Sequence, residues 1–99
     1  EEVGEPGYRI DRCLTQLIMA GALDGVRAVA FGRFTEVPEG SSDAEVETLL
    51  VNLAENFDVP AVMNFPIGHI EHNWTLPVGV PATLDAEACV LDLFESAVR

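Results

Sequence analysis

The sequence predicts an α/β domain, with helices and parallel strands in its first part and antiparallel strands in its last part. Two observations lead to this prediction. Segments with helical spacing of apolar residues alternate with β-branched segments over the first two thirds of the chain. After that, strand-like segments follow one another, separated by turn residues. The 99 residues, of which 48% are hydrophobic, suffice for one domain (residues 1–99) with a buried core.

The first predicted element after the polar residues 1–7, which we interpret as a loop, is a helix that starts at Tyr8. Pro6 and Gly21 are typical of the two ends of such a helix. The apolar residues of this segment recur at helical spacing and define one face: Ile10, Cys13, Leu14, Leu17 and Ile18.

A buried strand and a second helix are predicted next. Residues 26–34 are β-branched and aromatic, which favours a strand. Ser42 and Glu45 have the spacing of a capping box, which predicts a helix start. Apolar residues then repeat at helical spacing up to Phe57, and residues 61–65 predict a further strand. We expect the two strands to be parallel in one sheet, with helices covering a face.

The last part of the chain contains three more predicted strands, at residues 75–80, 82–84 and 89–94. The last two are joined by a predicted hairpin turn at residues 85–87. Cys13 and Cys89 both lie among apolar residues. We interpret them as buried free thiols in a reducing cytoplasm rather than as a disulfide scaffold.

The charge is the most unusual feature of the composition. The chain carries 17 acidic residues against five arginines and no lysine, for a net charge of -12. Such a chain should be repelled by nucleic acid and by anionic membranes, and no apolar run or signal-peptide pattern is visible, so we expect a cytoplasmic protein. Self-repulsion is relieved by salt, which suggests a high-salt cytoplasm. The alternative is a genome that favours arginine codons.

Candidate functional residues are few. His69 follows a predicted strand, where functional groups collect in α/β sheets, but a lone loop histidine is more often a surface residue. The acids of the N-terminal loop usually serve only the dipole of the helix that follows, and this reading stays open for Glu1, Glu2 and Glu5.

Neither a metal site nor a nucleophile is indicated. His69 and His72 are three residues apart, but the surrounding prolines and glycine make a helix there improbable and no third ligand is evident, so we expect no metal and no cofactor. No glycine-rich phosphate loop and no nucleophile elbow occur around the three serines, Ser41, Ser42 and Ser96.

An ordered set of motifs resembles the LD-carboxypeptidase family, and only its C-terminal domain. The set comprises EEVGEPGYRIDR at residues 1–12, LTQLIMAG at 14–21, AFGRF at 30–34, Val59-Pro60, and Gly68-His69 followed by TLPVG at 75–79. The resemblance covers nearly the whole chain and implies a small three-layer β/β/α domain of the swivelling type. The form of residues 9–12 is closer to the cell-wall-recycling branch than to the microcin-immunity branch.

The resemblance also implies a Ser-Glu-His triad for amide hydrolysis, in which Glu1 and His69 are the acid and the base. The serine and the oxyanion donors would belong to an N-terminal domain missing from this chain, which starts without Met. The substrate would be an L,D-peptide of the murein tetrapeptide type. Departures from the family pattern are Glu2 in place of Asp, Gly7 in place of Pro, and Ile70 in place of Gly.

Two alternatives remain open at this point. The parent protein could hydrolyse another acylated amine or peptide, as an archaeal source without murein would require. The chain could instead be a non-catalytic packing or dimerisation domain. Without the N-terminal domain we expect an exposed apolar patch near Tyr8 and Trp74, through which the chain would self-associate. In both cases we expect the isolated chain to be inactive, because it lacks the nucleophile.

Overall fold

The computed structural model describes residues 1–96 and 98, and in this part of the chain it confirms the predicted α/β class. Two helices and six short strands follow one another along the chain. The helices are α1 (Gly7–Met19) and α2 (Asp43–Phe57). The strands are β1 (Glu2–Val3), β2 (Val29–Ala30), β3 (Phe34–Thr35), β4 (Ala61–Val62), β5 (Ala82–Asp85) and β6 (Val90–Leu93).

Both helices lie where the sequence predicts them, although α1 starts at Gly7, one residue before the predicted Tyr8. Pro6 precedes α1 in an extended conformation, and Gly21 follows its end at φ +68°, where a residue without a β-carbon is favoured. The capping box of α2 is confirmed: Ser42 Oγ accepts from the Glu45 backbone N–H at 3.2 Å, and Glu45 Oε2 accepts from the Ser42 N–H at 3.0 Å. Two backbone donors at the start of α2 are thereby satisfied.

The parallel strand pairing is confirmed, but its details differ from the prediction. Strand β2 pairs in parallel with β4, and β3 pairs in parallel with β1. Residues 26–34 therefore do not form one strand, because the chain changes its partner between β2 and β3. The Phe31 N–H still donates to the Val62 carbonyl at 2.8 Å, whereas the Arg33 carbonyl accepts from the Glu2 N–H at 3.3 Å. The prediction of a loop over residues 1–7 was also wrong, because Glu2 and Val3 in this segment form β1, which pairs with β3.

The hydrophobic core lies between the helices and the parallel strands. Its members are Ile10 on α1, Phe31 beside β2, and Val46, Leu50 and Leu53 on α2. Further apolar residues pack around this cluster and close it toward the strands, among them Leu14, Val29, Phe34, Leu49, Phe57 and Ala61. The apolar faces of both helices therefore pack into one cluster that residues of the parallel strand pairs border.

The C-terminal part forms one antiparallel hairpin, with Ala82 opposite Leu93 and Asp85 opposite Val90. Its turn comprises residues 86–89 rather than the predicted 85–87, and Asp85 Oδ1 accepts from the Ala88 N–H at 2.9 Å. The strand predicted at residues 75–80 was wrong, because that segment forms no strand. Pro77 within it has no N–H to donate, and Gly79 turns the chain at φ +84°.

The prediction of buried cysteines was also wrong, because both Cys13 and Cys89 are exposed. Cys89 lies in the hairpin turn at φ +54°, so the apolar residues around it in sequence do not cover it in space. Cys13 lies on a part of α1 that the core does not reach, together with the exposed Leu17. No helix in the described part of the chain is long and apolar enough to cross a membrane.

Candidate functional site

Glu1 lies in a narrow slot between two glycines. A β-carbon at Gly32 would lie 2.9 Å from the Glu1 β-carbon and 2.7 Å from the Ile67 carbonyl oxygen. A β-carbon at Gly68 would lie 3.1 Å from both the β-carbon and Oε2 of Glu1. All of these distances are shorter than ordinary van der Waals contacts, so a side chain at either glycine would crowd Glu1. The pairing of β1 with β3 holds the backbone of the same segment in place.

His69 lies on a loop that is closed by its own hydrogen bonds. The Gly68 N–H donates to Asn73 Oδ1 at 3.1 Å, and the Trp74 N–H donates to the Pro66 carbonyl at 2.9 Å. The Ile70 N–H donates to the Gly68 carbonyl at 2.9 Å. Gly68 has φ +123°, a conformation in which side chains are strongly disfavoured. The loop therefore presents His69, which is exposed, next to the residue that contacts Glu1.

Glu1 and His69 line the same cleft, which has a volume of about 410 Å³. Glu2 lines it as well, although its Oε1 accepts from the Val3 backbone N–H at 3.0 Å. The other side of the cleft is formed by Asn73, Trp74 and Leu76 of the loop that follows His69. A histidine with a neighbouring carboxylate can act as a general base, because the carboxylate fixes the tautomer and stabilises the imidazolium.

The serines of the described residues have other roles. Ser42 caps α2, and Ser41 Oγ accepts from the Gly7 N–H at 3.3 Å. Ser96 Oγ donates to the Val98 carbonyl at 2.6 Å. None of the three lines the cleft that contains Glu1 and His69. Within the described part of the chain the cleft thus offers a base and acids, but no hydroxyl nucleophile.

The structure identifies site residues that the sequence did not single out. Gly32 stands in a segment that reads as a strand, and only its crowding against Ile67 and Glu1 distinguishes it. Asn73 accepts the hydrogen bond from Gly68, yet a polar residue in a loop gives no such signal in the sequence. His72 is exposed and does not line the cleft, and the described residues contain no cluster of three potential metal ligands.

The comparison with known proteins shows the family to which the chain belongs. Residues 1–84 match the family model of the LD-carboxypeptidase C-terminal domain. The chain belongs to the LD-carboxypeptidase family, and the part of that family that it matches is the C-terminal domain.

Several curated relatives agree with this assignment. A protein of Streptomyces coelicolor that is named as a carboxypeptidase is 42% identical over 98 residues, which cover 99% of this chain and 31% of the relative. A protein of Synechocystis, also named as a carboxypeptidase, is 41% identical over 93 residues, 92% of this chain and 31% of the relative. The murein tetrapeptide carboxypeptidase of Pseudomonas aeruginosa is 33% identical over 85 residues, 86% of this chain and 28% of the relative. The chain therefore spans about a third of the length of these relatives.

Proposed function

We propose that this chain supplies the acid and the base of a Ser-Glu-His triad in an LD-carboxypeptidase-type serine peptidase. One observation supports the proposal most strongly. Glu1 and His69 line the same cleft although they are far apart in the sequence. The glycine slot gives Glu1 a defined position there. The serine, in this proposal, belongs to an N-terminal domain, in line with relatives about three times as long as this chain.

The roles of the residues follow from acyl-transfer chemistry. His69 takes the proton of the serine hydroxyl as its oxygen bonds to the carbonyl carbon of the scissile amide. His69 then gives this proton to the departing amine as the carbon–nitrogen bond breaks. Water, deprotonated by His69, then attacks the acyl carbon; the bond between this carbon and the serine oxygen breaks, and the serine oxygen takes the proton back from His69. Glu1 holds the imidazole in the tautomer that accepts the proton and stabilises the imidazolium between the steps.

The substrate that we propose is a peptide with an amide between an L-residue and a terminal D-residue, of the murein tetrapeptide type. One relative is named as a murein tetrapeptide carboxypeptidase, which supports this choice. The alternative substrate is another acylated amine or peptide, hydrolysed by the same steps.

The test measures release of the D-residue from an L,D-peptide by the full-length protein and its variants. His69→Ala should lower kcat/KM at least about a hundredfold, the usual contribution of a general base. His72→Ala is the matched control, since His72 is also an exposed loop histidine, and should stay within about twofold of the parent. Glu1→Gln should lower kcat about a hundredfold or more, whereas Glu2→Gln should have a smaller effect.

Equal release by the parent and by His69→Ala would contradict the proposed role of His69. A larger loss from Glu2→Gln than from Glu1→Gln would transfer the role of the acid to Glu2. The isolated chain of 99 residues should release no D-residue, because it lacks a nucleophile in the cleft.

A packing or dimerisation role is the second candidate, and it is favoured by exposed apolar side chains. Tyr8 is 72% exposed, Trp74 is 59% exposed and Met19 is 83% exposed. Such side chains attract partners when they form a contiguous patch. If the full-length protein shows no hydrolysis while its sedimentation reveals a concentration-dependent dimer, this second candidate replaces the first.

A further inference from the structure

The loop of residues 66–74, which carries His69, is bridged by one side chain, that of Asn73. Its Oδ1 accepts from the Gly68 N–H at 3.1 Å. The Gly68 carbonyl accepts in turn from the Ile70 N–H at 2.9 Å. Both backbone polar groups of Gly68, the residue directly before His69, are therefore bonded within the loop, and Asn73 supplies the partner of the N–H.

The position of Asn73 is itself set by the residue that follows it. The indole of Trp74 packs edge-to-face against the buried Phe65, with the ring centroids 5.9 Å apart and an angle of 85° between the planes. The Trp74 N–H donates to the Pro66 carbonyl at 2.9 Å. An aromatic pair and a backbone hydrogen bond together hold the end of the loop. The Asn73 side chain thus extends from an anchored backbone, although it is exposed and lines the cleft.

The peptide group that Asn73 holds lies between Glu1 and His69. A β-carbon at Gly68 would lie 3.1 Å from both the β-carbon and Oε2 of Glu1, so the backbone of Gly68 forms one wall of the slot. Gly68 has φ +123°, and a glycine adopts many other values of φ at little cost. A rotation at Gly68 would move this wall and the backbone of His69 together. The hydrogen bond to Asn73 opposes such a rotation.

We propose that Asn73 is a positioning residue, which sets the geometry between Glu1 and the imidazole of His69 by holding the Gly68 N–H. The proposal rests on the proposed function, because this geometry matters for hydrolysis only if Glu1 and His69 act as acid and base. Asn73 takes no part in proton transfer, and its functional atom is the acceptor Oδ1. Aspartate, which has the same shape and keeps an acceptor there, should therefore replace it, whereas leucine, of similar size but without an acceptor, should not.

The first test measures hydrogen exchange of single backbone amides by NMR in the 99-residue chain and needs no chemistry. Asn73→Leu should speed exchange of the Gly68 amide about tenfold, the effect of losing one hydrogen bond, and Asn73→Asp should leave it within about threefold of the parent. The Trp74 amide, whose acceptor is the Pro66 carbonyl, should keep its protection in both variants. Equal protection of Gly68 in the parent and in Asn73→Leu would overturn the proposal. Equal loss at Gly68 and Trp74 would also overturn it, because Asn73 would then support the whole loop.

The second test measures hydrolysis of an L,D-peptide by the full-length protein below the temperature at which any variant unfolds. Asn73→Leu should lower kcat at least about tenfold and leave KM within about threefold, because a misplaced base slows the reaction without weakening substrate binding. Asn73→Asp should keep kcat within about threefold of the parent, each compared at its own pH optimum, since an added carboxylate alters the titration of its neighbours. Asn52→Leu is the matched control, because Asn52 is an exposed asparagine on α2 outside this cleft, and should leave kcat within about twofold.

Three outcomes of the second test decide between the possible roles. An unchanged kcat in Asn73→Leu would overturn the positioning role. Equal losses in Asn73→Leu and Asn73→Asp, with KM raised in both, would overturn it as well, because the amide NH₂ group would then contact the substrate directly. Absence of hydrolysis in the parent would instead reject the proposed function, while the exchange of the Gly68 amide still decides whether Asn73 holds this peptide group.

Discussion

At the scale of single residues, the position of Glu1 depends on the absence of a β-carbon at Gly32 and Gly68. Either glycine, given a β-carbon, would press against Glu1 at 3.1 Å or less. At Gly68 the backbone conformation excludes side chains as well, since φ is +123°. Gly68 is therefore constrained both by its contact with Glu1 and by its backbone conformation. Substitutions can separate these two constraints.

The prediction at this scale compares Gly68→Ala with Gly79→Ala. Both glycines have positive φ, so both changes should cost about 1–3 kcal/mol in the free energy of unfolding, which urea titration measures. Only at Gly68 would the new methyl group contact Glu1, because nothing lies within 4 Å at Gly79. Gly68→Ala should therefore also lower kcat of the full-length protein more than about tenfold, the scale on which small misplacements act.

Gly79→Ala should leave kcat within about twofold of the parent. Similar values of kcat for Gly68→Ala and for the parent would mean that the position of Glu1 is not fixed by the slot or does not matter for hydrolysis.

The sequence could indicate His69 and Glu1 as candidates, but not how they are held. The positions of Glu1 and His69 within the ordered family motifs indicated them, whereas their residue types alone did not. The crowding at Gly32 and the hydrogen bond from Gly68 to Asn73 depend on contacts between distant segments. Local patterns do not contain such contacts. The exposure of Cys13 was missed for the same reason, since helical spacing defines a face but not what covers it.

At the scale of secondary-structure elements, the helices followed from the sequence more accurately than the strands. Caps and spacing are local, so the bounds of α2 could be predicted from Ser42 and Glu45. The sequence could not predict that β2 and β3 pair with different strands, because the side-chain pattern of a strand does not identify the strand beside it. The strand predicted over residues 75–80 failed because no partner segment pairs with it.

The prediction at this scale compares two valines on one helix, Val46→Ala and Val51→Ala. Val46 is 3% exposed in the core cluster, and Val51 is 39% exposed on the other side of α2. Removing two buried methyl groups should lower the free energy of unfolding by about 2 kcal/mol, and the same change at Val51 should cost less than about 0.5–1 kcal/mol. Urea denaturation of both variants measures the difference. Equal losses would contradict the placement of the core on this face of α2.

At the scale of the whole molecule, charge rather than packing is the dominant feature. The net charge of -12 is spread over a chain of 99 residues, and the exposed Glu39, Glu47 and Glu55 contribute to it without the capping role of Glu45. Mutual repulsion among such charges destabilises the compact state and is screened over distances that shrink with salt concentration. We therefore propose that the stability of this domain depends on high ionic strength.

The prediction at this scale is that the melting temperature rises steadily from about 0.1 M to about 1 M KCl, as the screening length falls from roughly 10 Å to roughly 3 Å. A relief of only about 1 kcal/mol would raise Tm of a domain of this size by roughly 4–8 °C, which calorimetry resolves easily. A variant with Glu39, Glu47 and Glu55 changed to Gln should show a shallower rise. A flat profile for the parent would reject salt dependence.

The glycine slot also has a consequence for the order in which the molecule folds. The β5–β6 hairpin joins neighbouring segments, and such hairpins form within about 1–10 μs. Glu1 reaches Gly68 only after the chain between these two residues has closed into a long loop. Closing this loop costs conformational entropy before the contact can contribute any stabilisation. The cleft with Glu1 and His69 should accordingly assemble after the β5–β6 hairpin during refolding, which pulsed hydrogen exchange would show as later protection of the backbone around Gly68.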